Sequence, residues 1–195
     1  MLGNIFENLL EDNKDKGAFY TPKEIVHYMA QESLIEYLST NIKVSKELLN
    51  NLIKNHTTDG LKKDELLTIE KLVDTVKICD PAIGSGAFPM GLLQEIFGLK
   101  ALLHFALNKN PEDWKPAQAK QVIIENSIYG VDIEPGAVDI ARLRFWLSLV
   151  VDEPTPKPLP NLDFKIIVGK ILLSRYKLDS SIEEVFKNLN KDREK

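Results

Sequence analysis

Two aspartates, Asp80 and Asp132, each close a short apolar run that reads as a β-strand, "VKICD" and "IYGVD". The first is followed by "PAIGSGAF", a stretch of small residues with glycines at 84 and 86, and then by a segment of helical character. Open parallel sheets bind their ligands at the carboxyl ends of the strands, where both carboxylates fall. Glycine at such a place admits positive φ and lets a ligand come close to the backbone. The next helix would add free N–H groups at the positive end of its dipole.

The details of the loop narrow the ligand. A P-loop ends in Gly-Lys-Ser/Thr, whereas this loop ends in Gly-Ala-Phe without a lysine. A dinucleotide loop of the form G-x-G-x-x-G needs a glycine where Pro89 stands. Neither template calls for an aspartate ahead of the loop, because a carboxylate repels a pyrophosphate. The same carboxylate welcomes an ammonium group. Asp132 can accept hydrogen bonds from both hydroxyls of a ribose, and Ile133 after it can pack on a purine face. An amino-acid end and a nucleoside end together describe S-adenosylmethionine. Blander readings stand beside these: Asp80 and its glycines as a tight strand–helix turn, and Asp132 as an ordinary helix cap.

The elements that must position these residues follow from pattern. "NIFENLLED" places Ile5, Phe6, Leu9 and Leu10 on one helical face. "TPKEIVHYMAQESLIEYL" begins with Thr21 as N-cap, Pro22 at the first helical position and Glu24 three residues after the cap. Its expected buried stripe is Ile25, Tyr28, Met29, Leu34, Ile35 and Leu38. Amphipathic helices follow over about 45–55 and 62–74. From Val76 strands alternate with helices: a strand to Asp80, a long helix from Gly86, a loop "NKNPEDWKP", a helix "AQAKQVIIENS", a strand "IYGVD", a long helix "EPGAVDIARLRFWLSLVV", a proline-rich connection and a strand "FKIIVG". That alternation predicts a parallel α/β sheet with right-handed crossovers. The expected division is a helical region 1–75, an α/β core 76–178 and a polar tail 179–195. Cys79 is expected to pack inside its buried strand, and Phe145, Trp146 and Leu147 in the core. His27, His56 and His104 carry no ligand pattern. Arg142 and Arg144 could touch DNA, but the expectation is one solvated arginine and one that lays its stem along the surface.

Composition sets the outer limits. A net charge of −4 gives no support to a strongly basic nucleic-acid module, although a local patch on an acidic domain can still meet DNA. One cysteine excludes an internal disulfide framework and fits a reducing cytoplasm. No apolar run approaches the ~18 residues of a membrane span. The start "MLGNIFENLLEDNKDKG" lacks the basic and continuous apolar parts of a signal peptide.

In order along the chain, "GAFYTP", "DPAIGSGAF" and "YGVDIEP" resemble motifs X, I and II of the N(6)-adenine DNA methyltransferases. The nearest likeness is to the large methyltransferase–restriction polypeptides of type IIG and similar phage-defence systems. The resemblance implies a Rossmann-like methyltransferase fold, a partial parallel sheet with helices on both faces, behind a helical N-terminal region. It implies that Phe19, Tyr20, Thr21 and Pro22 line the cofactor pocket, with Thr21 near the cofactor's carboxylate. Asp80, Ala82, Gly84 and Gly86 would hold the methionine end, Asp132 the ribose and Ile133 the adenine. "GAFYTP" doubles as a helix-start signal, so Thr21 and Glu24 could also do no more than cap.

Two departures from the family matter. "IIVGKILL" resembles motif III, but Lys170 stands where the family has Asn or Asp, and a lysine cannot accept a hydrogen bond from the cofactor's adenine amine. The Asn/Asp-Pro-Pro-Tyr/Phe motif, which holds the flipped target adenine, is absent, since the chain has no two adjacent prolines. The expectation is a chain that by itself binds cofactor weakly or not at all and does not methylate DNA, its DNA partner belonging to the full-length protein. In the family the strand "VKIC" is central, so the missing neighbour leaves an open edge and predicts a homodimer through it. The alternatives are a non-catalytic methyltransferase-fold module that docks DNA or protein in a defence complex, and a small-molecule methyltransferase.

Overall fold

The computed structural model describes residues 21–152, 162 and 164–171. The expected helix around Ile5–Leu10, the pair Phe19 and Tyr20, most of the proline-rich connection and the polar tail lie outside the described residues. Among the described residues three helices come first: α1 (Lys23–Asn41), α2 (Lys46–Lys54) and α3 (Lys63–Thr75). Then follow β1 (Ile78–Asp80), α4 (Ala87–Ala106), a 3₁₀ turn (Pro111–Asp113), α5 (Pro116–Ser127), β2 (Ile128–Asp132), α6 (Pro135–Val150) and β3 (Ile166–Val168). The helix starts have local causes. Ser45 accepts from the Leu48 N–H at 3.3 Å and so caps α2. Glu65 reaches back to the Lys62 N–H at 2.7 Å at the start of α3. Pro116 and Pro135 occupy first helical positions, where a missing N–H costs nothing.

The sheet is parallel, in the order β1-β2-β3. Its register pairs Ile78 with Ile128, Asp80 with Gly130, Gly130 with Ile166 and Asp132 with Val168. Strand alternation then gives the two faces. One carries Ile78, Ile128 and Ile166, which pack in a single hydrophobic cluster with residues from all six helices. The other carries Cys79, Tyr129, Val131 and Ile167, none of which belongs to that cluster. The expectation of helices on both faces is therefore not met among the described residues. The physical reason is direction: both crossovers step the same way along the sheet, and right-handed crossovers of one direction stack their helices on one side.

Several expectations for individual residues are corrected by this packing. Cys79 is exposed rather than buried, because it points to the uncovered face. The strand of "VKIC", by contrast, has the open edge expected from its missing neighbour: among the described residues it pairs with β2 alone. The first half of α1 buries Val26, Ala30 and Gln31, while Ile25, Tyr28 and Met29 are exposed, Tyr28 by 61%. The farther positions Leu34, Ile35 and Leu38 are buried as the pattern predicts. The helix turns its smaller side chains inward because it crosses α4 closely: a Cβ on Gly91 would lie 2.3 Å from Val26 Cγ1. The cap of α1 is Pro22, not Thr21, and no side chain caps it; the Pro22 carbonyl accepts from the Ile25 and Val26 N–H groups at 3.0 and 3.1 Å. Of the expected core trio, Phe145 is fully buried, whereas Trp146 and Leu147 are half-buried because they flank the packed face of α6.

Candidate functional site

The sheet register brings the two carboxylates together. Asp80 faces the same side as Ile78, and Asp132 the same side as Gly130, its neighbour across the strands. Both therefore leave the helix-covered face at the carboxyl ends of adjacent strands, Asp132 one pleat farther on. Strand spacing and rise put their Cα atoms about 8 Å apart. The Asp132 charge reaches Asp80, whose carboxyl is held above the ordinary aspartate range. Burial is the main cause; the Ala82 N–H pulls the other way, and Asp132 adds to the rise.

Between the carboxylates runs the loop Pro81–Gly86. Asp80 Oδ1 accepts from the Ala82 N–H at 3.1 Å. Ile83 donates its N–H to the Val131 carbonyl at 3.0 Å, and its side chain rests on Gly130, where a Cβ would lie 2.2 Å from Ile83 Cδ1. Gly84 has φ 51° and Gly86 φ 81°, the left-handed region that glycine enters without strain. The two glycines do different work. A Cβ on Gly86 would meet Ala141 Cβ at 3.2 Å, so this residue lets the loop seat on α6. A Cβ on Gly84 would meet nothing within 4 Å, so the backbone there is open to an approaching ligand.

Asp132 does more than point outward. Its Oδ2 accepts from the Gly84 N–H at 2.7 Å and its Oδ1 from the Glu134 N–H at 2.9 Å. The expectation of Asp132 as a helix cap is not met: the cap of α6 is Glu134, with no side chain capping it, and Asp132 instead accepts from the Glu134 N–H two residues on, a local turn just ahead of the helix. A carboxylate has about four lone-pair positions, so these two bonds leave room for two hydroxyl donors. The Asp132 carbonyl also accepts from the Gly169 N–H at 2.8 Å, and Lys170 beside it is exposed. Ile133 is 63% exposed at the same strand end.

Thr21 is half-buried and Pro22 exposed. Their approach to the loop follows from helix pairing. Val26 meets Gly91, while His27 and Gln31 both meet Glu95, at 2.5 and 3.3 Å. The helices α1 and α4 thus run side by side in the same sense. Four residues, or about 6 Å of rise, back from Val26 and Gly91 bring Pro22 level with Ala87, the first residue after the loop. The register thus gathers Asp80, Ala82, Gly84, Gly86, Asp132 and Ile133 at one end of the sheet, and Thr21 and Pro22 enter from the side.

Sequence reasoning missed the arginines. Arg144 Nη1 donates to the Ser85 carbonyl at 2.9 Å and to Ser85 Oγ at 3.2 Å. Arg142 donates from Nε and Nη2 to the Ile166 carbonyl at 3.1 and 2.6 Å. Neither is the solvated or stem-packed arginine expected. The available signal was the spacing of Ala141, Arg144 and Phe145, which share one helical face. Of the histidines, His104 is buried with Nε2 3.0 Å from the Asn110 carbonyl, and His27 pairs with Glu95. Among the described residues no group of His, Cys, Asp or Glu could hold a metal ion, and no helix is long and apolar enough to cross a membrane.

The comparisons with known proteins bear on this geometry. The chain is 30% identical over 194 residues to a Methanocaldococcus jannaschii protein named as a putative type II restriction enzyme and methyltransferase. The match takes in 89% of this chain but spans only 16% of the length of that relative. No protein-family model matches. The architecture of the described residues is a mixed one, six helices against a small parallel sheet, compatible with an α/β fold.

Chemically, the site offers two acceptors and a bare backbone to one molecule. That donor set is compatible with S-adenosylmethionine: Asp80 would take an ammonium, the remaining acceptor positions of Asp132 a diol, and exposed Ile133 an adenine face. The open side of Gly84 leaves space for the chain between these ends.

Proposed function

We propose that this chain is the S-adenosylmethionine-binding part of a site-specific adenine-N(6) DNA methyltransferase of a restriction–modification or phage-defence system. The observation that carries the reading is the pair of carboxylates on one sheet face, with Asp132 bonded directly to the Gly84 N–H of a loop open to ligand. The named relative supports the reading at the level of a methyltransferase in restriction–modification. The bound cofactor supplies an activated methyl group on its sulfonium. The chain's own task is to hold both ends so that methyl and acceptor align. Thr21 and Pro22 close the pocket beside α4 in this reading, and Phe19 and Tyr20 belong to the same motif. DNA is the partner of the full-length enzyme.

Calorimetric titration of the purified chain with S-adenosylmethionine tests this. The expected result is weak, saturable heat at roughly submillimolar affinity, and no methyl transfer to DNA by this chain, which lacks the Pro-Pro pair. Silence at millimolar ligand overturns it. That silence favours the second reading, a non-catalytic module docking DNA or protein, for which Lys170 at the motif III position is the specific observation.

Asp80 gives the pH prediction. Its folded-state pKa lies above the unfolded one, so ionising it costs stability; the cost is absent below the ordinary carboxylate range and complete above the raised value. Asp80→Asn therefore melts higher than the native chain at pH 7, and the gap closes on acidification, as differential scanning calorimetry reads directly. The same substitution weakens S-adenosylmethionine about 10–100-fold, the loss of one charged hydrogen bond of ~1.5–3 kcal/mol. Cofactor affinity of the native chain rises with pH through the Asp80 titration, since the ligand's ammonium selects the carboxylate. A pH-independent melting difference between the two proteins contradicts this account of Asp80.

The open outer edge of β1 is proposed as the seat of a homodimer. Antiparallel pairing centred on Cys79 sets the two Cys79 Cα atoms about 4.5–5.5 Å apart, within disulfide reach. Mild oxidation is then expected to yield a Cys79–Cys79 crosslinked dimer on a non-reducing gel. A monodisperse monomer in sedimentation at ~100 μM, a concentration at which a micromolar dimer is nearly saturated, refutes it.

A further inference from the structure

We propose that Arg144 is the positioning residue of the cofactor loop, fixing the orientation of the Ser85–Gly86 peptide that separates the two left-handed glycines. The proposal rests on the S-adenosylmethionine reading for its ligand, but its geometry stands apart from it. A peptide unit is planar, so its carbonyl and its N–H point in opposite directions and turn together. Here both ends are held. The Ser85 carbonyl accepts from Arg144 Nη1 at 2.9 Å, and the Gly86 N–H donates to the Ile83 carbonyl at 2.8 Å. Glycine on one side and a small residue on the other would otherwise make this plane the easiest part of the loop to flip. The Ser85 hydroxyl, 3.2 Å from the same guanidinium nitrogen, adds a second acceptor in a buried position.

The helix carrying Arg144 is itself placed for the task. Ala141, Arg144 and Phe145 lie on one face of α6, and a Cβ on Gly86 would meet both Ala141, at 3.2 Å, and Phe145, at 3.9 Å. Arg142, about 200° round the helix from Arg144, ties the other flank of α6 to β3 through the Ile166 carbonyl. Thus α6 is anchored to the sheet by one arginine and grips the loop with the next. The Gly84 side of the loop, held by Asp132, is left open, so the clamp works from the side away from the ligand. A loop set in its bound form beforehand spends less of its binding energy on ordering.

Two measurements on the full chain test the assignment. The first is hydrogen exchange of the loop amides 83–87 without ligand, and the second is calorimetric titration with S-adenosylmethionine. Arg144→Met is expected to speed exchange of the loop about tenfold or more while peptides from the middles of α4 and α6 keep their protection, and to weaken the cofactor by a similar factor. Arg144→Lys, which can reach the carbonyl with a single ammonium but lacks the fork, is expected to recover part of both, and it carries the test should Arg144→Met fail to fold. A merely structural arginine would lower the melting temperature and expose α6 along with the loop, with no partial rescue of affinity. Loop exchange unchanged in Arg144→Met, or in Arg144→Lys if that is the variant that folds, overturns the assignment. If the native chain gives no heat with S-adenosylmethionine while the exchange result holds, the cofactor reading falls and the clamp stands.

Discussion

Asp132→Ala lowers affinity for S-adenosylmethionine at least 100-fold and destabilises the fold at the same time. The reason is that one carboxylate serves three clients. Its Oδ2 holds the Gly84 N–H at 2.7 Å, its Oδ1 holds the Glu134 N–H at 2.9 Å, and in the proposed site its remaining lone pairs would accept from the ligand. Truncation leaves two backbone donors without their partner, each at a cost of about 1–3 kcal/mol where water cannot replace it. In a chain of this size ~1 kcal/mol moves the melting temperature by about 2–4 °C, so a fall of about 5–15 °C is expected. Asp132→Asn does little better, because its amide offers one acceptor and turns an NH₂ group toward the other donor. Scanning calorimetry and loop hydrogen exchange measure the structural part, and titration measures the ligand part. An Asp132→Ala protein that melts and exchanges like the native chain would remove the loop-holding role. One that also binds S-adenosylmethionine normally would remove the site.

The glycines separate ligand approach from folding. Gly84→Ala is expected to cost about 10–100-fold in cofactor affinity and, in stability, the backbone strain alone. Its φ of 51° penalises a side chain by roughly 1–2 kcal/mol, but the methyl group meets no protein atom within 4 Å and projects into the open side of the loop. Gly86→Ala behaves differently. Its φ of 81° carries the same strain, and its methyl group also lands 3.2 Å from Ala141 Cβ and 3.4 Å from Ala141 Cα. The latter is backbone and cannot step aside without moving α6. Strain and overpacking together cost about 2–5 kcal/mol, enough to lower the melting temperature by about 5–15 °C. The decisive comparison is thus mildly destabilised but unliganded Gly84→Ala against strongly destabilised Gly86→Ala. If Gly84→Ala binds S-adenosylmethionine as tightly as the native chain, the open flank of the loop is not the ligand's path.

Local elements were legible in the residues. The strands ending at Asp80 and Asp132, the helices α4, α5 and α6, and the helical stretch that became α2 follow from periodicity and start signals, which depend on neighbours a few positions apart. The positive φ at Gly84 and Gly86 was legible for the same reason: glycines grouped at the end of a strand mark a backbone that other residues avoid. So was the likeness of three ordered motifs to one enzyme family.

The tertiary structure decided everything that depends on which face meets which. Ile25, Tyr28 and Met29 form as good an apolar stripe as Val26, Ala30 and Leu34; only the close crossing at Gly91 selects the second. Alternation in "VKICD" says that Cys79 faces away from Ile78, but not that its face is left uncovered among the described residues. The spacing of Arg142 and Arg144 places them on opposite flanks of a helix, yet their acceptors, Ile166 and Ser85, lie 24 and 59 positions away in the chain. The same holds for Asp132, whose bond to Gly84 spans 48 positions. Sequence periodicity records short-range preference; contacts across the sheet and between helices are fixed by packing the whole chain at once, and no local pattern contains them.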